Sequence, residues 1–171
     1  MPEVRQDFAS FVRARTTTLL RTAFLLTGDA TAAEELVQDT LVHLYPRWGR
    51  VAAADAPLAY VRRCMMNRFL NVRSGSAARE IAVESIPDRW LSDAASERLV
   101  DRDELWSLLL TLPARQRAAL VLRFYHDLRD ADIASALHCR AGTVRSLVSR
   151  ALASLRQSMI ESTDPEPRSG R

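Results

Sequence analysis

The sequence predicts an all-α fold made of two small helical domains joined by a linker, and three observations carry that reading. Apolar residues recur at i, i+3 and i+4 along most of the 171 residues, the period of an amphipathic helix. Proline and glycine fall where such helices start or stop. Charge is gathered into blocks, with an acidic, proline-interrupted stretch between two basic ones.

In the first domain, Phe8, Phe11, Val12, Leu19, Leu20, Ala23 and Phe24 form one stripe, and Gly28 supplies a C-terminal stop. Thr31-Ala-Ala-Glu34 fits a capping box for a second helix, with Asp29 as a rival cap. That helix carries Leu36, Val37, Leu41, Leu44 and Tyr45 on its apolar side, and Pro46 lies near its end. A third helix starts at Pro57, since proline suits the first turn. It buries Leu58, Val61, Met65 and Phe69, leaving Arg62, Arg63 and Arg68 opposite. Arg73-Ser-Gly-Ser reads as the start of a loop.

The next stretch is acidic, contains Pro87 and has room for a short helix near 94–100. A second helical unit begins near Arg102 with Leu105, Leu108, Leu109 and Leu112 on one face. Pro113 opens the next helix, whose stripe is Leu120, Val121 and Phe124. Two more helices come after it, at about 130–137 and 141–159. The expected limits are 1–75 for the first domain, 76–101 for the linker, 102–160 for the second domain and 161–171 for a disordered tail.

Composition removes several classes of function. Hydrophobic residues make up 47% and charged residues 26% of the chain, a globular balance. No apolar run approaches the roughly 20 residues needed to span a bilayer. The first ten residues lack the apolar core of a signal peptide. A cytoplasmic location without membrane attachment is therefore expected. Cys64 and Cys139 are the only cysteines and lie in different halves, so neither a disulfide framework nor a zinc site is expected. His43, His126 and His138 are equally scattered, and no triad, phosphate loop or HExxH pattern occurs. No catalytic residue, metal or cofactor is expected.

The net charge is only +3, but its distribution is informative. All 24 basic residues are arginine. Residues 29–42 hold four acids and no base, and residues 56–79 hold five arginines and no acid. Residues 80–104 are net −5, and residues 133–160 are net +4 with no acid. Two basic segments separated by an acidic one suggest two phosphate-facing surfaces.

The most specific pattern is Asp130-Ala-Asp-Ile-Ala-Ser-Ala-Leu137, then His138-Cys-Arg140, then Ala141-Gly-Thr-Val-Arg-Ser-Leu-Val-Ser-Arg150. A short helix, a three-residue turn and a longer helix make a helix-turn-helix. Val144, Val148, Ala151 and Leu155 face the core by their spacing. Arg140, Thr143, Arg145, Ser146, Ser149 and Arg150 remain on the start and the exposed flank. Hydroxyls and guanidiniums are the groups that contact phosphates and base edges in a major groove. A plain solvated helix is the competing reading, but such helices normally mix charge signs.

Leu112-Pro-Ala-Arg-Gln-Arg-Ala-Ala-Leu-Val-Leu-Arg-Phe-Tyr125 and the helix-turn-helix after it resemble domain 4 of sigma factors, which reads the −35 promoter element. Leu25-Leu-Thr-Gly-Asp29, Ala33-Glu-Glu-Leu-Val-Gln-Asp-Thr-Leu41, Trp48 and Tyr60-Val-Arg-Arg-Cys-Met-Met-Asn-Arg-Phe-Leu70 resemble domain 2. Order and spacing resemble the short extracytoplasmic-function class, in particular its small actinobacterial-type members, over about residues 8–158. The resemblance implies a transcription initiation factor whose first domain is a three-to-four-helix bundle. Its implied partners are core RNA polymerase (through the β′ clamp helices and β flap), promoter DNA and an anti-sigma factor.

By the same resemblance, Glu35, Leu36, Gln38, Asp39 and Leu41 would dock on the polymerase. Arg62, Arg63, Asn67, Arg68, Asn71 and Arg73 would hold and open the −10 element, where a displaced base needs both backbone charge and groups reaching its edge. The six helix-turn-helix residues named above would read the −35 element.

Three positions depart from the family pattern. His138 stands where the turn usually has glycine, at a site expected to need positive φ. Arg129 and Arg140 replace the usual serine caps, leaving Asp127 or Asp130 to cap the first helix. The arginine run after the third helix is thinned to Val72-Arg-Ser-Gly-Ser. A DNA-binding regulator that uses only the helix-turn-helix is the alternative function; an enzyme has no supporting cluster.

Overall fold

The first helix ends because Gly28 turns the chain. The computed structural model describes residues 2–74 and 102–163, with side chains over 7–71 and 106–161. In it α1 (Pro2–Thr27) runs to Gly28, whose φ is +72° and whose N–H bonds the Phe24 carbonyl at 2.8 Å. That is a left-handed helix cap. It delivers Asp29 in extended conformation, and the Asp29 carboxylate accepts from the Ala32 N–H at 2.6 Å. Asp29 therefore opens α2 (Ala30–Leu44), and the expected capping box at Thr31 does not.

The buried side of α2 is Ala33, Leu36, Val37, Thr40 and Leu44. The Thr40 hydroxyl donates to the Leu36 carbonyl at 2.7 Å, so this buried polar group is satisfied. Tyr45 leaves the expected stripe, because Pro46 tightens the chain into a 3₁₀ turn at Tyr45–Arg47. Its ring instead meets Phe8 edge-on at 4.9 Å. A short helix that the sequence reading missed, α3 (Trp48–Ala52), carries Trp48 and Val51 into the core. Trp48 sits 5.1 Å from Phe8 and 4.8 Å from Phe11 between ring centres.

α4 (Pro57–Ser74) begins at the proline, as expected, and continues through Arg73, where a loop was expected. Val61, Met65, Met66 and Phe69 are its buried face. The segment 76–101, with its expected short helix, lies outside the described residues, as does the tail beyond 163.

The second group is α5 (Arg102–Thr111), α6 (Ala114–Leu120), α7 (Asp130–Ala136) and α8 (Ala141–Thr163). α6 runs on as a π-helical turn at Val121–Tyr125. That wider winding shifts the angular position of the residues within and after it. Phe124, expected in the apolar stripe, is consequently 65% exposed, and Leu122 is buried instead.

The two groups of helices share one buried cluster. Trp106 of α5 stacks on Phe24 of α1 at 5.2 Å. The Arg117 guanidinium, buried in α6, donates to three carbonyls: Leu26 at 2.5 Å, Leu112 at 2.8 Å and Leu110 at 2.9 Å. Leu26 belongs to α1, so one side chain ties the second unit to the first. No strand occurs among the described residues, and no described helix is long and apolar enough to cross a membrane.

Candidate nucleic-acid interface

Helix α8, free of acids as far as Ile160, is held by its apolar side. Val144, Val148, Ala151 and Leu155 are buried, as their spacing predicts. Burial of such side chains contributes roughly 1.5–3 kcal/mol each for the larger ones. Arg140, Thr143, Arg145, Ser146, Ser149 and Arg150 are all exposed. Arg140, Thr143, Ser146 and Arg150 line a shallow open groove with Gly142 and Leu147. Ser146 donates its hydroxyl to the Gly142 carbonyl at 3.2 Å, which leaves its oxygen outward as an acceptor.

The turn before α8 has the geometry that positions its first residues. Leu137 ends α7, His138 has φ +49°, and the Cys139 N–H bonds the Ala134 carbonyl at 3.0 Å. This is a Schellman arrangement with histidine where glycine is usual. Arg115 adds a bond to the Leu137 carbonyl at 3.0 Å. At the other end of α7 the cap is Arg129, with no side-chain bond. Neither Asp127 nor Asp130 caps the helix, contrary to expectation. Asp130 is instead engaged with Arg123 and faces Arg145.

On the first unit, Glu35, Gln38 and Asp39 project from α2 into solvent. Leu36 is only 8% exposed and Leu41 packs against the core, so both support this face from beneath. Val42, 65% exposed on the same helix, is an accessible apolar residue that the sequence reading passed over. Asp39 also lies 3.6 Å from Arg68 of α4, which joins the acidic face to the basic one.

The basic face of α4 is divided in this arrangement. Arg63 and Asn71 are exposed, and the Arg73 side chain lies outside the described ones. Asn67 meets His138, 3.0 Å away in the second unit. Burial lowers the Arg62 guanidinium below its ordinary value, with the nearby Tyr125 acting the other way. His126 is pushed down to about 4, first by burial and then by Arg62, while its Nε2 lies 2.9 Å from the Thr22 hydroxyl. The imidazole is therefore neutral at pH 7. Cys64, raised chiefly by burial, is not a poised thiolate. No group of three metal-ligating side chains occurs among the described residues.

Family models match both units in chain order: Sigma-70 region 2 over residues 11–78 and Sigma-70 region 4 over residues 102–155. This chain belongs to the sigma-70 family. The sigma factor is 36% identical over 162 residues to an RNA polymerase sigma-E factor of Streptomyces avermitilis, covering 95% of this chain and 89% of that one. It is 34% identical over 154 residues to the Streptomyces coelicolor protein of the same name, covering 90% and 86%. The extracytoplasmic-function sigma factor SigD of Mycobacterium bovis is 29% identical over 167 residues, covering 94% and 76%.

The fold of the sigma factor is also that of RpoE from Bartonella quintana, solved with the anti-sigma factor NepR. The TM-score there is 0.70 at 24% identity, covering 94% of this chain and 99% of that one. CnrH, solved with the cytosolic domain of CnrY, gives 0.62 at 19% identity, covering 94% and 91%. As a member of the extracytoplasmic-function class, the sigma factor directs transcription initiation to promoters. Sequence reasoning took Asp130 only as a candidate cap, not as a partner of Arg145, and it assigned Arg117 no role. Nothing in helical periodicity marks an acid that faces a recognition helix, or an arginine that folds inward onto carbonyls.

Proposed function

We propose that this chain binds core RNA polymerase through Glu35, Gln38 and Asp39, with Leu36 and Leu41 beneath them, and carries it to promoters read at two elements. Arg140, Thr143, Arg145, Ser146, Ser149 and Arg150 read the −35 element. Arg62, Arg63, Asn67, Arg68, Asn71 and Arg73 hold and open the −10 element. The functional limits are 1–75 for the polymerase-binding and −10 domain, 76–101 for the linker and 102–160 for the −35 domain. The chain works in the cytoplasm, performs no chemistry of its own, and needs no metal or cofactor.

The observation that carries this reading is the exposed arc of α8. The five predicted DNA-facing side chains on it and Arg140 just before it are solvent-accessible, with no acid from Ile133 to Ile160. The exposed side of the chain from Arg140 to Arg150 offers hydroxyls, guanidiniums and small groups, which suit the major groove. An anti-sigma factor is a further partner, supported by the two solved likenesses, each solved in complex with a partner protein of its own.

Run-off transcription with purified core polymerase tests the proposal. Specific transcripts from genomic fragments are expected only when this chain is present. If no transcript forms and the chain does not bind core polymerase, the chain is a regulator acting through its helix-turn-helix alone.

A further inference from the structure

Asp130 is an acid placed against a basic helix, α8, which carries no acid as far as Ile160. It begins α7, and its side chain is 26% exposed. One carboxylate oxygen, Oδ1, is engaged by the Arg123 guanidinium from the π-helical turn before it. That ion pair leaves Oδ2 as the oxygen on the side of α8. The other oxygen, Oδ2, faces Nη1 of Arg145 on α8 at 3.9 Å. Arg145 is 70% exposed. Its guanidinium leans back over the first turn of α8, where a methyl group added at Gly142 would lie 4.0 Å from Nη2.

A separation of 3.9 Å is too long for a hydrogen bond. The carboxylate thus orients the guanidinium by charge without consuming its N–H donors. We infer that Asp130 is a specificity-positioning residue, which holds Arg145 for a base edge and discourages it from taking a DNA phosphate. This rests on the proposed −35 reading of α8.

The physical reason is a difference in charge between the two ligands open to Arg145. A phosphate docked on the guanidinium brings a full negative charge near the fixed carboxylate, and like charges repel. The acceptor edge of a purine is neutral and meets no such repulsion, while it suits a bidentate guanidinium. An arginine without a neighbouring acid takes either ligand, and phosphate contacts carry no sequence information. Asp130 therefore trades general affinity for discrimination. As an ion pair this exposed, the contact with Arg145 adds little to stability, which leaves orientation as its effect.

The test uses holoenzyme, formed from core polymerase and the full chain, on a promoter duplex found by run-off transcription. A second duplex differs only in its −35 element. For Asp130→Asn the ratio of affinities for the two duplexes is expected to fall about 5–10-fold, within the range of one bidentate base contact. Binding to the altered duplex should tighten, and the salt slope should steepen by about 1 as Arg145 takes a phosphate. Arg145→Ala should lower the ratio by itself and abolish any further effect of Asp130→Asn. A merely structural role for Asp130 would leave the ratio unmoved.

If Asp130→Asn does not fold, the paired variant Arg123→Gln with Asp130→Asn removes both halves of the anchoring contact and is expected to show the same fall. An unchanged ratio in a folded variant overturns the inference, as does an effect that persists without Arg145. Should the wild-type holoenzyme itself show no preference between the duplexes, the −35 reading fails and this inference fails with it.

Discussion

Asn67 of α4 and His138, the turn residue of the helix-turn-helix, meet across the two units with Nδ2 and Nε2 3.0 Å apart. Each belongs to a surface proposed to face DNA, and in this arrangement each occupies the other. A promoter that engages both elements must part them. The contact is a partly exposed polar pair, worth about 0.5–1.5 kcal/mol, and it adds to the Trp106–Phe24 stack and the Arg117–Leu26 and Thr22–His126 contacts that also join the units.

Replacing His138 by glycine is expected to loosen the closed arrangement and tighten binding to core polymerase by about 2–10-fold, the equivalent of that contact. Glycine also suits the φ of +49°. Asn67→Ala should loosen the arrangement equally but weaken −10 opening, since the amide itself is lost. Titration of labelled core polymerase and permanganate footprinting of the −10 region would separate the two. Equal core affinity in wild type and both variants would contradict the prediction.

Acid should weaken the contact between the units. His126 is held neutral with its value near 4, against an ordinary value near 6.5, and it lies on the second unit facing Thr22 and Arg62 of the first. The closed form therefore binds fewer protons than the open one. Its stability is fully present above about pH 6.5 and declines as pH falls from there toward 4. His126→Gln, which keeps a hydrogen-bonding group for Thr22, should flatten that dependence. Denaturant melts at pH 7.5 and 5 on both proteins would read it.

Gly28→Ala is expected to cost about 2–4 kcal/mol, combining a positive φ with overpacking. Its φ is +72°, and an added Cβ would lie 2.5 Å from Leu110 Cδ1 of α5. Chemical denaturation would show a lower midpoint with little change in slope.

Arg117→Met should destabilise the chain by about 2–4 kcal/mol, because carbonyls at Leu26, Leu110 and Leu112 lose a charged donor. Differential scanning calorimetry would register the loss. A variant as stable as wild type would mean that water replaces the guanidinium at no cost.

Much of the fold was legible because helix boundaries are local. Pro57, Pro113 and Gly28 mark starts and stops through backbone sterics alone, and all three act where expected. The buried stripe of α8 was equally plain from its spacing. What escaped were effects that depend on neighbours. Phe124 left its stripe because the chain widens into a π-helical turn. Asp29 outcompeted Thr31 because Gly28 hands it the right conformation. In the candidate site the exposed residues of α8 were readable from one helix, whereas the Asn67–His138 and Asp130–Arg145 relationships need elements that are distant in sequence or packed side by side.

Arg117 gives the joint between the units a particular mechanical character. Two of its three carbonyl partners, Leu110 and Leu112, sit beside it in its own unit, and only Leu26 lies across the boundary. If the units part, the guanidinium surrenders its bond to Leu26 and keeps those to Leu110 and Leu112, like a hinge pin that stays in one leaf of the door. The second unit can therefore detach without losing the brace that shapes it, and the socket at the end of α1 stays ready to receive the pin again.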